Sequence, residues 1–141
     1  MEKKNVNQIG VWMDGHKAIV VKLDHGKTSI NEINSDLDEA YYHEGEAIRG
    51  YFVGIQHNNL EKTIADRKKD YSKKFMKNVF EAIHEAEQLY IIGPGEMKKA
   101  FNRFIVNEHQ KESNKVIGVE SCDYLREKLI VDKIKHFFET V

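Results

Sequence analysis

The sequence predicts an α/β fold: a mixed five-stranded sheet, built in the order β-β-β-α-β-α-β-α, with helices on both faces. Three observations predict it. Short apolar and β-branched runs parted by tight-turn sequences fill the first third of the chain. The hydrophobic period then changes from that of a strand to that of a helix. After that, short apolar runs alternate with amphipathic helical patterns, as parallel strands joined by crossover helices do.

The first strands read as a meander. Ile9 to Met13, Ala18 to Leu23 and Lys27 to Ile33 are separated by Asp14-Gly15-His16 and Asp24-His25-Gly26, both suited to tight turns. In the second run Ile19, Val21 and Leu23 share one face while Ala18 and Val20 share the other. A strand apolar on both faces belongs inside a sheet covered from both sides. Asn34 to Leu60 is the least regular stretch, and residues 34–61 are read as an irregular, mobile connection. Arg49 to Ile55 within it fits a short strand.

From Ile64 to about Glu87 the spacing is helical, with Tyr71, Phe75, Val79, Ala82, Ile83 and Ala86 on one face. Arg67, Lys69, Lys73, Lys74 and Lys77 fall on the other. Leu89 to Ile92 is a buried-type strand ending in Gly93-Pro94-Gly95, and Pro94 or Gly95 can open a helix. That helix carries Met97, Ala100, Phe101, Phe104 and Ile105 at i, i+3, i+4, i+7 and i+8. A polar connection, Asn107 to Asn114, leads to a strand at Val116 to Val119. The last helix runs from Asp123 to about Thr140, with Leu125, Leu129, Ile130, Ile134, Phe137 and Phe138 as its apolar residues. Three antiparallel strands followed by two right-handed crossovers make a ribonuclease H-like architecture.

The 141 residues are read as a single domain, 1–141, with 40% hydrophobic and 32% charged residues, a composition that folds without staples. One cysteine, Cys122, rules out an internal disulfide framework and a cysteine-based zinc site. No stretch approaches the roughly 18 apolar residues of a membrane span. Met1-Glu2-Lys3-Lys4 leads into polar residues rather than a signal core, so a cytoplasmic location is expected.

The 22 Lys+Arg and 23 Asp+Glu nearly cancel, but they are unevenly placed. Lys62 to Lys77 holds seven basic and two acidic residues, whereas Asp24 to Glu46 holds seven acids and one lysine. A basic helix face is an electrostatic footprint for a phosphate backbone, and Arg67, Lys68, Lys69, Lys73, Lys74 and Lys77 are its candidate contacts. The same face also reads as a solvated surface, or as one half of a contact with the acidic stretch of a neighbouring chain.

Asp14, after the first strand, is a candidate metal-binding carboxylate for a nuclease, but such chemistry needs further carboxylates, and Asp14-Gly15 is more simply a hairpin turn. Gly93 and Gly95 at a strand-to-helix junction are a candidate anion-binding turn, with neither P-loop nor dinucleotide spacing. The seven histidines are scattered and form no recognised metal spacing. Cys122 opens the last helix in this reading, where a thiolate is favoured, although a partly buried structural cysteine is expected. No Gly-x-Ser-x-Gly elbow is present. No cofactor or metal is expected.

Several of these motifs, taken in order, resemble the middle domain of the eukaryotic and archaeal peptide-release factor and Pelota family and its bacterial stand-alone relatives. Gly10-Val11-Trp12-Met13-Asp14-Gly15 with Ala18 to Leu23 resembles its opening hairpin. Asp66-Arg67-Lys68-Lys69-Asp70-Tyr71 with Lys73-Lys74 resembles its basic first helix, and Leu89 to Gly93 with Met97-Lys98 its following strand and helix start. The resemblance spans nearly the whole chain. It implies a ribonuclease H-like fold of the translational-machinery-component kind and a contact with ribosome or RNA. Release factors carry Gly-Gly-Gln before the basic helix; here Gly54-Ile55-Gln56-His57-Asn58-Asn59 stands in that place. Gln56 therefore does not inherit the hydrolytic role, and peptide release is not implied. The length is expected to leave no room for flanking codon-reading or factor-binding domains.

The leading expectation is a non-catalytic translation-related domain that binds ribosome or RNA through its basic helix, with the loop around His57 to Asn59 beside the lysines. The alternatives are a metal-dependent nuclease using Asp14 and a homo-oligomeric interaction module.

Overall fold

The computed structural model describes residues 7–35 and 57–141, with backbone alone for 57–64. The three opening strands are β1 (Gln8–Met13), β2 (Lys17–Asp24) and β3 (Lys27–Asn34). The long helix α1 (His57–Ile83) precedes β4 (Gln88–Gly93), and α2 (Met97–Glu108) follows it. A 3-10 turn at Gln110–Lys115, β5 (Val116–Ser121) and α3 (Glu127–Thr140) complete the described chain.

The strands form one mixed sheet in the order β3-β2-β1-β4-β5. β1 pairs antiparallel with β2, and β2 with β3, while β1–β4 and β4–β5 are parallel. The β2–β3 hairpin turns on His25 and Gly26, both with positive φ (50° and 83°). Two such residues let the turn follow the right-handed twist of the strands, and His is among the non-glycine residues that tolerate it.

Alternation along β1, β2 and β4 separates two cores. Ile9, Val11, Met13, Ala18, Val20, Leu89 and Ile91 face α1 and α2, whose Phe75, Val79, Ile83, Phe101 and Ile105 close over them. Trp12, Ile19, Val21, Tyr90 and Ile92 face α3, which supplies Ile130, Val131, Ile134 and Phe138. Helices therefore cover both faces, two on one side and one on the other. Gly10 is required by the second core, because a Cβ there would lie 2.5 Å from an Ile134 methyl. Gly93 is required where β4 passes β1: its Cβ would come 2.0 Å from the Met13 carbonyl oxygen. β3 is an exposed edge strand. Among the described residues no helix is long and apolar enough to cross a membrane.

The helix boundaries differ from the sequence reading, and α1 ends at Ile83 rather than about Glu87, which leaves Ala86 beyond it. α1 begins at His57, seven residues before the helical spacing becomes legible at Ile64, so His57 to Asn59 lie in a helix rather than a loop. His57 to Asn59 are all polar, so the opening of the helix leaves no hydrophobic signal. Asn34 closes β3, Leu60 and Glu61 continue α1, and residues 36–56, including Arg49 to Ile55, fall outside the described residues.

α3 begins at Glu127, not Asp123. Residues 123–126 lie outside any helix or strand, and the Trp12 indole N–H donates to the Asp123 carbonyl there (3.1 Å). The Asp123 carboxylate accepts the Tyr124 N–H (2.7 Å), and Arg126 is extended (φ −65°, ψ 153°). Cys122 therefore does not open a helix. It is buried at the end of β5, its N–H on the Gly93 carbonyl at 3.0 Å, and burial pushes its thiol pKa up. A thiolate is disfavoured there, contrary to the helix-start reading.

Candidate nucleic-acid interface

The amphipathic spacing of α1 fixes its orientation. Phe75, Val79 and Ile83 are buried against the sheet, with Met76, Phe80 and Ala82 packed beside them. The opposite side of the same turns then faces solvent, and Lys69, Lys73, Lys74 and Lys77 are exposed there. None of these four makes an ion pair with Asp66, Asp70 or any other described residue. Arg67 is exposed and Lys68 half-buried, and each has an interaction partner of its own. Lys69, Lys73 and Lys77 succeed one another at i, i+4, i+8. Like charges at that spacing destabilise a helix by about 0.2–0.5 kcal/mol per pair, so packing gives no reason for the arrangement.

Three of the lysines lead into a cleft of about 520 Å³ between α1 and the C-terminal end of α2. Lys73, Lys74, Lys77 and Asp70 come from α1; Phe104, Glu108 and His109 come from α2 and its cap. The His109 ring lies flat on Phe80, with centroids 3.7 Å apart and planes 10° apart, and 5.6 Å from Phe104. Its backbone N–H closes α2 on the Ile105 carbonyl at 2.8 Å. His109 carries no signal in the sequence, where it stands in a polar connection; only tertiary packing brings it to α1.

The other candidates lie at the C-terminal ends of β1 and β4. Asp14 is buried (8% exposed), and its Oδ1 accepts the N–H groups of His16 (2.8 Å) and Lys17 (2.9 Å). That is the part of an aspartate that shapes a turn. Among the described residues no group of three or more His, Cys, Asp and Glu side chains could hold a metal ion. The Gly93 carbonyl is taken by the Cys122 N–H, and the Gly95 carbonyl by the ammonium of Lys98, which is only 4% exposed. The helix opens at Met97, after Pro94 and Gly95 have made the turn. Asp36 to Glu46, most of the acidic stretch, lies outside the described residues.

The fold and this face define an α/β domain with a basic helix on one side. Solved structures with the same fold include Pelota from Archaeoglobus fulgidus (TM-score 0.58, 11% identity, covering 94% of this chain and 31% of that one). Pelota from Thermoplasma acidophilum gives a TM-score of 0.54 at 14% identity, over 96% of this chain and 34% of that one. The archaeal translation termination factor aRF1 gives 0.53 at 12% identity, over 99% and 40%. At these identities the likeness is one of fold, and the chain spans about a third of the neighbours' length. No protein-family model matches the sequence, and no curated protein matches it significantly.

Proposed function

We propose that this protein is a non-catalytic, translation-related domain that binds ribosome or RNA through the exposed lysines of α1. The observation that carries the proposal is the row Lys69, Lys73, Lys77, with Lys74 beside it: solvent-facing cations at like-charge spacing, with no ion pair to any described residue. A cationic row that weakens its own helix is the kind of feature retained for a polyanionic partner. The fold neighbours supply the context, since Pelota and aRF1 share this architecture and aRF1 is a translation termination factor.

In this reading the chain corresponds to the middle domain of the release-factor and Pelota family, with a ribonuclease H-like sheet, and works in the cytoplasm. Its sequence contains no Gly-Gly-Gln, so it contacts the translation machinery without releasing peptide. Ribosome pelleting and RNA filter binding at low and high salt test the proposal. Co-sedimentation at low salt that declines with added salt is expected. Absence of association with ribosomes and RNA at low salt would refute it.

A further inference from the structure

We propose that the cleft between α1 and the end of α2 takes a short single-stranded RNA segment, with phosphates on Lys73, Lys74 and Lys77 and one base against the Phe104–His109 wall. The inference rests on the RNA-binding reading above and narrows it to one site and one form of RNA.

Three features of the cleft carry it. It is a groove of about 520 Å³, open to solvent but comparable in volume to the roughly 300–1,000 Å³ of small-ligand sites, whereas a bare helix face has no such concavity. One wall is cationic and the other aromatic, the combination by which single strands are held: phosphates on the charges, a base on a ring. The His109 ring is already fixed in orientation by its stack on Phe80 and by its place as the cap of α2. A base that meets it need not order a mobile side chain.

The charge balance selects the form of RNA. Asp70 and Glu108 also line the cleft, so three lysines leave an excess of one positive charge. A duplex presents two closely spaced rows of phosphates and keeps its bases stacked inside. A single strand brings a sparser row of charge and bases free to turn toward the wall. An acidic peptide would satisfy the lysines but make no use of the aromatic wall of Phe104 and His109.

Fluorescence anisotropy of the full chain with a labelled oligouridylate tests the site, using a duplex RNA of equal length and a polyglutamate peptide as competitors. Circular dichroism checks the fold of each variant. The single strand is expected to bind more tightly than the duplex and to resist polyglutamate. H109A should weaken it by at least about fivefold, as loss of one stacked base does, while H109F, which keeps a ring, should retain most of the affinity. K73A should weaken binding more than K69A, because Lys69 lies outside the cleft.

RNA binding that is indifferent to H109A, equally sensitive to K69A and K73A, or stronger for duplex overturns the cleft and leaves the broader RNA proposal standing. Displacement by polyglutamate as effective as by unlabelled oligouridylate also overturns it, and points to an acidic protein. No association of RNA or ribosomes at low salt removes both proposals.

Discussion

The two faces of the sheet are covered in different ways. The buried face of α3 is accounted for by packing: Ile130, Ile134 and Phe138 recur at every fourth residue, and the helix lies so close that β1 carries glycine at position 10. α1 is not. Among its residues with described side chains, 65–83, the buried ones begin only at Phe75. Its outer face presents lysines whose mutual repulsion opposes the helix. The buried stripe of α3 is explained by the core it fills, although Leu129 stays exposed (41%); the lysine row of α1 is explained by no contact within the described fold.

Substitutions should divide along this line. The largest losses are expected in the two cores: F75A about 3–5 kcal/mol and I134A about 2–5 kcal/mol in urea unfolding, because both side chains are buried against the sheet. A cost for F75A well below that for I134A would show that α1 is loosely held. W12F should cost about 1–3 kcal/mol, since it removes the indole N–H donated to the Asp123 carbonyl, which keeps only the weak Cys122 S–H, and leaves a void in the buried core. Loss of the near-ultraviolet tryptophan signal is not informative here, so the readout is the unfolding midpoint.

Alkaline pH should separate the faces again. Tyr90 lies on the α3 side, stacked on Phe137 (3.6 Å between centroids) and donating to Glu120 at 2.6 Å. Burial, then the Glu120 carboxylate, holds its phenol well above the ordinary 10.0. The folded chain thus keeps a Tyr90 proton that the unfolded chain loses. On top of the fall that the buried Cys122 thiol, raised from 9.0, starts earlier, the Tyr90 contribution to stability is full below pH 10.0 and falls as pH rises above it. Y90F should flatten that fall; an identical alkaline slope in both proteins would contradict the assignment. The smallest effect is expected on the basic face, where K73A should leave stability unchanged or raise it by a few tenths of a kcal/mol, as relief of the Lys69 and Lys77 repulsion allows. A loss above about 1 kcal/mol would mean that Lys73 serves the fold.

Much of the sheet was legible because burial on both faces writes continuous apolar runs: Val11 to Met13, Ala18 to Val21 and Leu89 to Ile92 could scarcely be anything but inner strands. The helix cores were legible from period, as in Phe101–Ile105 and Ile130–Ile134. Boundaries set by polar detail were not. The first residues of α1, His57 to Asn59, are polar, and the segment before α3 meets an indole more than a hundred residues away in sequence. Of the candidate site, the lysines were visible as a charge run. The cleft was not, since nothing near His109 in sequence announces that it will lie on Phe80.

The most direct measurement is the salt dependence of RNA affinity in the wild-type chain and in a K69E/K73E/K77E variant of unchanged fold. With about three phosphates neutralised, log K should fall against log salt with a slope near −2 for a single strand. The variant should lose measurable affinity at low salt. A wild-type affinity independent of salt, or a variant that binds as the wild type does, would contradict the assignment of the α1 lysines as the contact surface.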